Sequence, residues 1–395
     1  MSPTVAVVGA SLAGLSAARA LRAQSYGGRI VVIGDEVHAP YDRPPLSKGF
    51  LAGTASLDDI ALSAPDDEDL GLEWRLGTPA VGLDRLGRSV LLDDGSEVRA
   101  DGVVLATGAR ARRLPGSEGL AGVHVLRSLD DALALREDLA AGGRLVVIGA
   151  GFIGAEVAST ARRLGLEVTV VETQPVPLAG PLGAEMGAVC AELHADHGTR
   201  LLTGTGVAGL AGTGRVEAVE LTDGTRLPTD VVVVGIGAAP NTEWLAHSGV
   251  ALGNGALGNG VLTDERGATN IPGVVAVGDC AAAWSAPAER HVRTEHWTTA
   301  LEQPATAVAT LLGAGEPAPT PVPYFWSDQY GARIQFAGSR REGDVARVVE
   351  GSCADRSFLV AYERDGEPVA VLGMNQPRLF TRWRRQLRSP VPTPC

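Results

Sequence analysis

The strongest constraint on the fold is a pattern that occurs twice. Residues 5–14 read VAVVGASLAG and residues 145–154 read LVVIGAGFIG. Each is an apolar run of strand length ending in a glycine turn, followed by an alanine-rich stretch of helical period and a second apolar run, RIVVIGDE or EVTVVE. Strand, turn, helix and strand make a βαβ unit, whose strands run parallel because the helix carries the chain back. The repeat therefore predicts an α/β fold with two mononucleotide-binding units. A length of 395 residues exceeds what one hydrophobic core organises, about 250–300, so two or three domains are expected.

Between the units lie short strand signals (VLLDDGSEV, DGVVLATG) and SLDDALALREDLAAG, which reads as a helix capped by Ser128. After the second unit come RLPTDVVVVGIGAAPN, NIPGVVAVGDC and the helix-like TALEQPATAVATLLG, where Pro304 predicts a kink or a restart. GAGEPAPTPVP, 313–323, is a Pro/Gly linker signal. Beyond it FWSDQYGARIQFAG, VARVVEG and SFLVAYERDGEPVAVLGM alternate apolar and polar residues around a DG turn at 365–366, predicting a small antiparallel domain. The expected domains are 1–110 with 239–314, then 111–238, then 315–395.

A net charge of −12 opposes binding to nucleic acid or an anionic membrane. The N-terminal apolar stretch runs into glycines without a basic leader, and VVVVGIG is far short of the ~20 residues of a span, so a cytoplasmic protein is expected. Cys190, Cys280, Cys353 and Cys395 are widely spaced, which argues against a metal site, an iron–sulfur cluster or a redox disulfide. Three packed thiols and a free tail are expected.

The first turn, Gly9 to Gly14, places backbone N–H groups and a helix dipole where a pyrophosphate binds, with Ser11 at the usual middle glycine and the acidic pair Asp35 and Glu36 at ribose spacing. The second, Gly149, Gly151 and Gly154, is the full fingerprint, with Glu172 ending the next strand. A carboxylate there accepts both ribose hydroxyls and repels a 2′-phosphate, so NADH is preferred over NADPH unless Arg162, Arg163 or Arg200 reaches in. Two dinucleotides follow, most economically FAD and NAD; spacing leaves open which sits where.

VVGASLAG, YDRPPLSK, LATGA, VVIGAGFIGAE, GIGAAPN, VAVGDC, EHW…ALEQ and FWSDQY together resemble the FAD-dependent, NADH-using ferredoxin reductases that serve bacterial monooxygenases and dioxygenases. That resemblance implies two Rossmann-like domains of glutathione-reductase type and a C-terminal antiparallel domain, and assigns FAD to the first turn and NADH to the second. For FAD it implies Gly9, Ser11, Leu12, Ala13 and Gly14 at the pyrophosphate, Asp35 or Glu36 at the ribose and Val81 at the adenine. Ala106, Thr107 and Gly108 mark the chain crossing, Arg127 is another contact, and Gly278 with Asp279 meets the ribityl chain. Arg43, Lys48, Glu295, His296, Trp297 and Trp326 are implied on the flavin side, with no catalytic role for His296. For NADH it implies Gly149, Gly151, Phe152, Ile153, Gly154, Glu156, Glu172, Gly235, Ile236 and Gly237.

Disulfide-using relatives carry two flavin-proximal cysteines; YDRPPLSKGF carries none, so electrons leave to a metal-bearing partner, a ferredoxin. Of 34 basic residues 33 are arginine, and the single lysine, Lys48, stands in this segment. A compact ammonium fits a narrow slot beside a flavin where a planar guanidinium collides, and Glu156 is its expected partner. The 376–395 tail carries Arg378, Arg382, Arg384, Arg385 and Arg388 without an acid, a candidate ferredoxin-docking patch joined by Arg340 and Arg341. A rubredoxin reductase and a redox-sensing flavoprotein like apoptosis-inducing factor are the alternatives. A monomer or weak dimer is expected.

Overall fold

Short runs of valine and isoleucine build two parallel five-stranded sheets that share the arrangement of four strands and differ in the fifth, an edge strand that comes last in sequence in one sheet and first in the other. The structure, a computed structural model, describes residues 3–84, 86, 88–255, 258–314 and 322–387. It divides into two compact units: Met1–Asp42, Ile60–Arg110 and Ala239–Pro323 in the first, Arg43–Asp59, Ala111–Ala238 and Tyr324–Cys395 in the second.

In the first unit the sheet order is Val274–Ala276, Gly102–Leu105, Thr4–Val8, Arg29–Ile33, Leu72–Arg75, all parallel. Every residue of Thr4–Val8 is buried, which is why the run is continuously apolar rather than alternating. Helix Leu12–Ala23 lays Ala17, Ala18 and Leu21 on Val5, Val7 and Val32, small side chains that let it sit close to the sheet. Helix Trp297–Leu311 covers the same face through Ala307 and Val308. It runs on through Pro304 without the restart that proline allows: burial of Pro304, Ala307 and Val308 offsets the missing N–H donor.

In the second unit the order is Arg200–Thr203, Glu167–Glu172, Arg144–Ile148, Val231–Val234, Val123–His124, again parallel. Helix Leu129–Ala140 starts at Ser128, whose Oγ accepts from the Asp131 amide at 3.1 Å while the Asp131 carboxylate accepts from the Ser128 amide at 2.9 Å. Segment 43–59, expected with 1–110, groups here because Leu51 joins the core of Leu135, Leu139, Val147 and Val157 and the Arg136 guanidinium lies 5.0 Å over the Phe50 ring. The C-terminal antiparallel sheet, in the order Tyr324–Gln329, Ala332–Gly338, Glu367–Met374, Ser357–Arg364, Val345–Ser352, also belongs to this unit. It shares a core with helix Ala184–Asp196: Met186, Cys190 and Leu193 pack with Ile334, Phe336 and Phe358.

That junction carries a buried histidine. His194 is 2% exposed, its Nδ1 is 2.9 Å from the Tyr330 hydroxyl, and burial pushes it down to about 4. The unfolded chain binds this proton near pH 6.5 and the folded one only near 4, so stability falls as pH drops through that window, by about 3 kcal/mol for this group. Urea midpoints measured from pH 7 to 4 are expected to show the fall, and His194→Asn, which keeps an acceptor for Tyr330, is expected to flatten its slope.

Candidate active site

In the first unit Gly9 follows the C-terminal end of the central strand, where doubly wound sheets bind ligands. Its φ is +122°, and a Cβ there would lie 2.0 Å from the Ala106 carbonyl oxygen; one on Gly14 would lie 1.8 Å from the Gly9 oxygen. Both glycines are thus demanded by the turn itself. Ser11 has extended backbone and precedes Leu12, Ala13 and Gly14 in the first helical turn. Glu36 accepts from the Tyr41 hydroxyl at 2.5 Å, while the Asp35 carboxylate accepts from the Glu36 amide, so Glu36 is the carboxylate held in place at the strand end. Val81 is 52% exposed on the strand Ala80–Leu83.

Thr107 donates to the Asn241 carbonyl at 2.7 Å, the Asn241 side chain returns a bond to the Thr107 carbonyl, and the Asn241 amide donates to Gly108. The Gly278 amide donates to Gln303 Oε1 at 2.9 Å, which ties the VGDC turn to helix Trp297–Leu311. Arg293 donates to the Asp279 carbonyl and to the Glu295 carboxylate. The Trp297 indole donates to Asp42 at 2.7 Å. His296 is depressed to about 4 by burial, so it stays neutral.

In the second unit a Cβ on Gly149 would lie 2.3 Å from the Gly235 oxygen and one on Gly154 2.1 Å from the Gly149 oxygen. Gly151 differs. Its backbone is extended and a Cβ would meet nothing within 4 Å, so the protein itself does not require glycine there. Open space over the amides of a helix N-terminus is the cradle a pyrophosphate takes. The second turn fits a dinucleotide on this ground, and the first shares its strand–glycine–helix geometry with Ser11 at the matching position.

Glu172 accepts from the Ala150 amide at 2.9 Å and the Gln174 amide at 2.8 Å, which holds its carboxylate at the mouth of the turn. None of the three arginines considered for a 2′-phosphate is placed there. Arg162 is bonded to the His197 and Leu166 carbonyls, Arg163 ends the helix that the turn begins, and Arg200 pairs in register with Thr169, three residues back along the strand. Ile153 and Ile236 are 46% and 39% exposed. Gly235 bonds to Ile148, and Gly237 to the Arg112 amide. Phe152 packs its ring 4.7 Å from Phe325, a structural position rather than an open one.

The lone lysine is fixed from three sides. Pro44–Ser47 forms a turn of 3-10 helix with prolines at its start, and Lys48 follows as its C-cap. Lys48 Nζ donates to Glu156 Oε2 at 2.6 Å, to the Pro44 carbonyl at 3.0 Å and to Ser47 Oγ at 3.4 Å. Glu156, 2% exposed on helix Phe152–Arg163, also accepts from Ser47 Oγ and Ser327 Oγ, each at 2.6 Å. The Thr160 hydroxyl donates to the Ser47 carbonyl and clamps the segment to the same helix. Arg43 donates to the Arg127 carbonyl at 2.7 Å. Trp326 stacks on Tyr324 with centroids 5.9 Å apart, and Arg384 lies 4.2 Å over the Tyr324 ring.

No thiol is poised for redox work among the described residues. Cys280, beside Asp279, is fully buried with its thiol raised by burial, and burial pushes Cys190 up to about 12; Cys353 is half-buried. Cys395 and Arg388 lie outside the described residues. Among those residues no cluster of metal ligands occurs, and no helix is long and apolar enough to cross a membrane. Gln303, Arg293, Ser47 and Ser327 were not anticipated; each acts through side-chain bonds between segments distant in sequence.

Residues 3–304 match the pyridine nucleotide-disulphide oxidoreductase family, and residues 324–393 match the reductase C-terminal family. The chain belongs to the pyridine nucleotide-disulphide oxidoreductase family. Within it, the chain is 40% identical to the ferredoxin reductase component of chlorobenzene dioxygenase from Cupriavidus sp. strain PS12, over 96% of this chain and 91% of that one. It is 37% identical to putidaredoxin reductase from Pseudomonas putida, over 98% and 92%. A crystal structure of the covalent putidaredoxin reductase–putidaredoxin complex superposes with a TM-score of 0.91, covering 98% of this chain and 93% of that one. This family member thus has reductase relatives matched along nearly its whole length, C-terminal sheet included.

Proposed function

We propose that the protein is an NADH:ferredoxin oxidoreductase that supplies electrons to an oxygenase or cytochrome P450. The observation that carries the reading is the near full-length similarity to ferredoxin reductase components, in a chain whose YDRPPLSKGF segment has a lysine and no cysteine. FAD, when bound, takes a hydride from NADH and releases the electrons singly. The chain's own residues do the rest.

Amides of the Gly9–Gly14 turn hold the FAD pyrophosphate, and Glu36 holds its ribose. Amides of the Gly149–Gly154 turn hold the NADH pyrophosphate at a helix N-terminus. Glu172, already bonded to the Ala150 amide, takes the ribose hydroxyls and selects against a 2′-phosphate. Lys48, held by Glu156, orients the nicotinamide and keeps water from the transfer path. Asp279, Glu295 and Trp297 are positioned by Arg293 and Asp42 to meet the flavin.

The partner is an acidic iron–sulfur protein. Helix Pro377–Leu387 exposes Arg378, Arg382 and Arg385 on a molecule whose total charge is −12, and opposite charge steers encounter and sets orientation. NADH-driven reduction of a [2Fe–2S] ferredoxin is expected to slow about tenfold or more between 50 and 500 mM salt, with ferricyanide reduction nearly constant. Equal salt dependence for both acceptors removes the docking patch; protein that stays colourless when offered FAD removes the whole reading.

A further inference from the structure

Glu156 has more partners than an ion pair needs. Lys48 and Ser47 donate to Oε2, Ser327 Oγ donates to Oε1 at 2.6 Å, and the Asp328 amide reaches Oε1 at 3.3 Å. The direction of the bonds is fixed. An amide nitrogen only donates, so Ser327 Oγ accepts from Gln329 Nε2 at 3.0 Å and gives its own proton to Glu156. Ser327 and Gln329 are 0% and 1% exposed, and in so dry a setting each bond in the chain strengthens the next.

The two serines differ in what they fix. Ser47 precedes Lys48 on one short segment, so its bond and that of Lys48 hold the same oxygen from the same side. Ser327 reaches the other oxygen from the strand Tyr324–Gln329. A carboxylate gripped at both oxygens by separate elements keeps one plane, and so does the ammonium paired with it.

We propose that Ser327 is a positioning residue for hydride transfer: it keeps the Glu156 carboxylate in one rotamer, and through Glu156 sets the place of Lys48. The proposal rests on the reading of Lys48 as the group that orients the nicotinamide. It makes the C-terminal sheet part of the transfer apparatus as well as the electron-delivery side. Asp328, whose amide meets Glu156, turns its carboxylate to Arg333 at 3.6 Å.

Composition supplies a direct probe. Lys48 is the sole lysine and its side chain is 22% exposed, so mild acetylation followed by peptide mapping reports one side chain, separate from the α-amino group. In Ser327→Ala, Oε1 keeps only the long amide bond. Lys48 is then expected to acetylate about threefold to tenfold faster, with FAD bound or removed. The limiting rate of anaerobic flavin reduction by NADH is expected to fall about tenfold, the size of one lost hydrogen bond to a charge, with half-saturation by NADH unchanged.

Unchanged acetylation of Lys48 overturns the proposal, even where the rate drops, because a rate drop alone is what disturbed packing gives. Ser327→Thr, which keeps the hydroxyl, is expected to restore wild-type acetylation and rate. Where Ser327→Ala fails to fold, Gln329→Met removes the donor behind Ser327 and is expected to speed acetylation by a smaller step; no change overturns the proposal. Lys48→Met separates the two ideas. Wild-type flavin reduction in that variant sinks the role of Lys48 itself, whereas slow reduction there beside unchanged acetylation in Ser327→Ala sinks only Ser327.

Discussion

Glu156→Ala is expected to destabilise the second unit by about 3–5 kcal/mol and to slow flavin reduction by NADH at least about 100-fold. The first figure follows from what is left behind. The Lys48 ammonium, the Ser47 and Ser327 hydroxyls and the Asp328 amide all donate to this carboxylate, and its removal strands them in a region where Glu156 itself is 2% exposed. The second follows from geometry, because a Lys48 ammonium without its anchor no longer holds one position. Lys48→Met is expected to lose comparable rate with a smaller loss of stability. Three donors still serve Glu156 there, and the lysine side chain is the more exposed partner, at 22% against 3%. Urea denaturation and anaerobic stopped-flow reduction of both variants separate the two effects; equal stability losses would show that the charge pair, rather than the serine cradle, holds the site.

This asymmetry also marks what the sequence discloses. Both parallel sheets were legible because their signal is local: an apolar run, a glycine turn and a helical period fall within about 30 consecutive residues. Ser128 was legible for the same reason, since a cap and its Asp131 partner are three residues apart. Lys48 stood out by rarity, and Glu156 by its place after the second turn. Ser327 did not, because nothing within FWSDQY distinguishes a serine that meets a carboxylate 171 positions away from one that faces solvent. The same holds for segment 43–59, whose allegiance to the second unit is set by Leu51 and Phe50 finding partners near residue 136. At Pro304 the core its helix packs into keeps the helix continuous, where the local rule also allowed a restart. Local rules place elements; long-range polar bonds and packing decide which elements build a site together.

The two glycine positions of the second turn give the sharpest separation between folding and binding. Gly149→Ala is expected to prevent the second unit from folding normally. Its φ of +101° costs a side chain about 1–3 kcal/mol by strain alone, and the new Cβ would sit 2.3 Å from the Gly235 oxygen, a backbone atom that cannot move without displacing the strand Val231–Val234 behind it. Gly151→Ala carries neither burden, since its backbone is extended and no atom lies within 4 Å of the added carbon. Its melting temperature is expected to stay at the wild-type value. NADH, however, must approach that backbone closely, and a methyl in its way costs about 1–3 kcal/mol of binding, about 10–100-fold in affinity. FAD content should be unchanged in Gly151→Ala, because FAD is proposed at the Gly9–Gly14 turn, where Ser11 already occupies the matching position. Calorimetric titration with NADH and the flavin absorbance of each variant decide the matter. A Gly151→Ala protein that binds NADH normally would mean that the space above the second turn is not where the pyrophosphate lies.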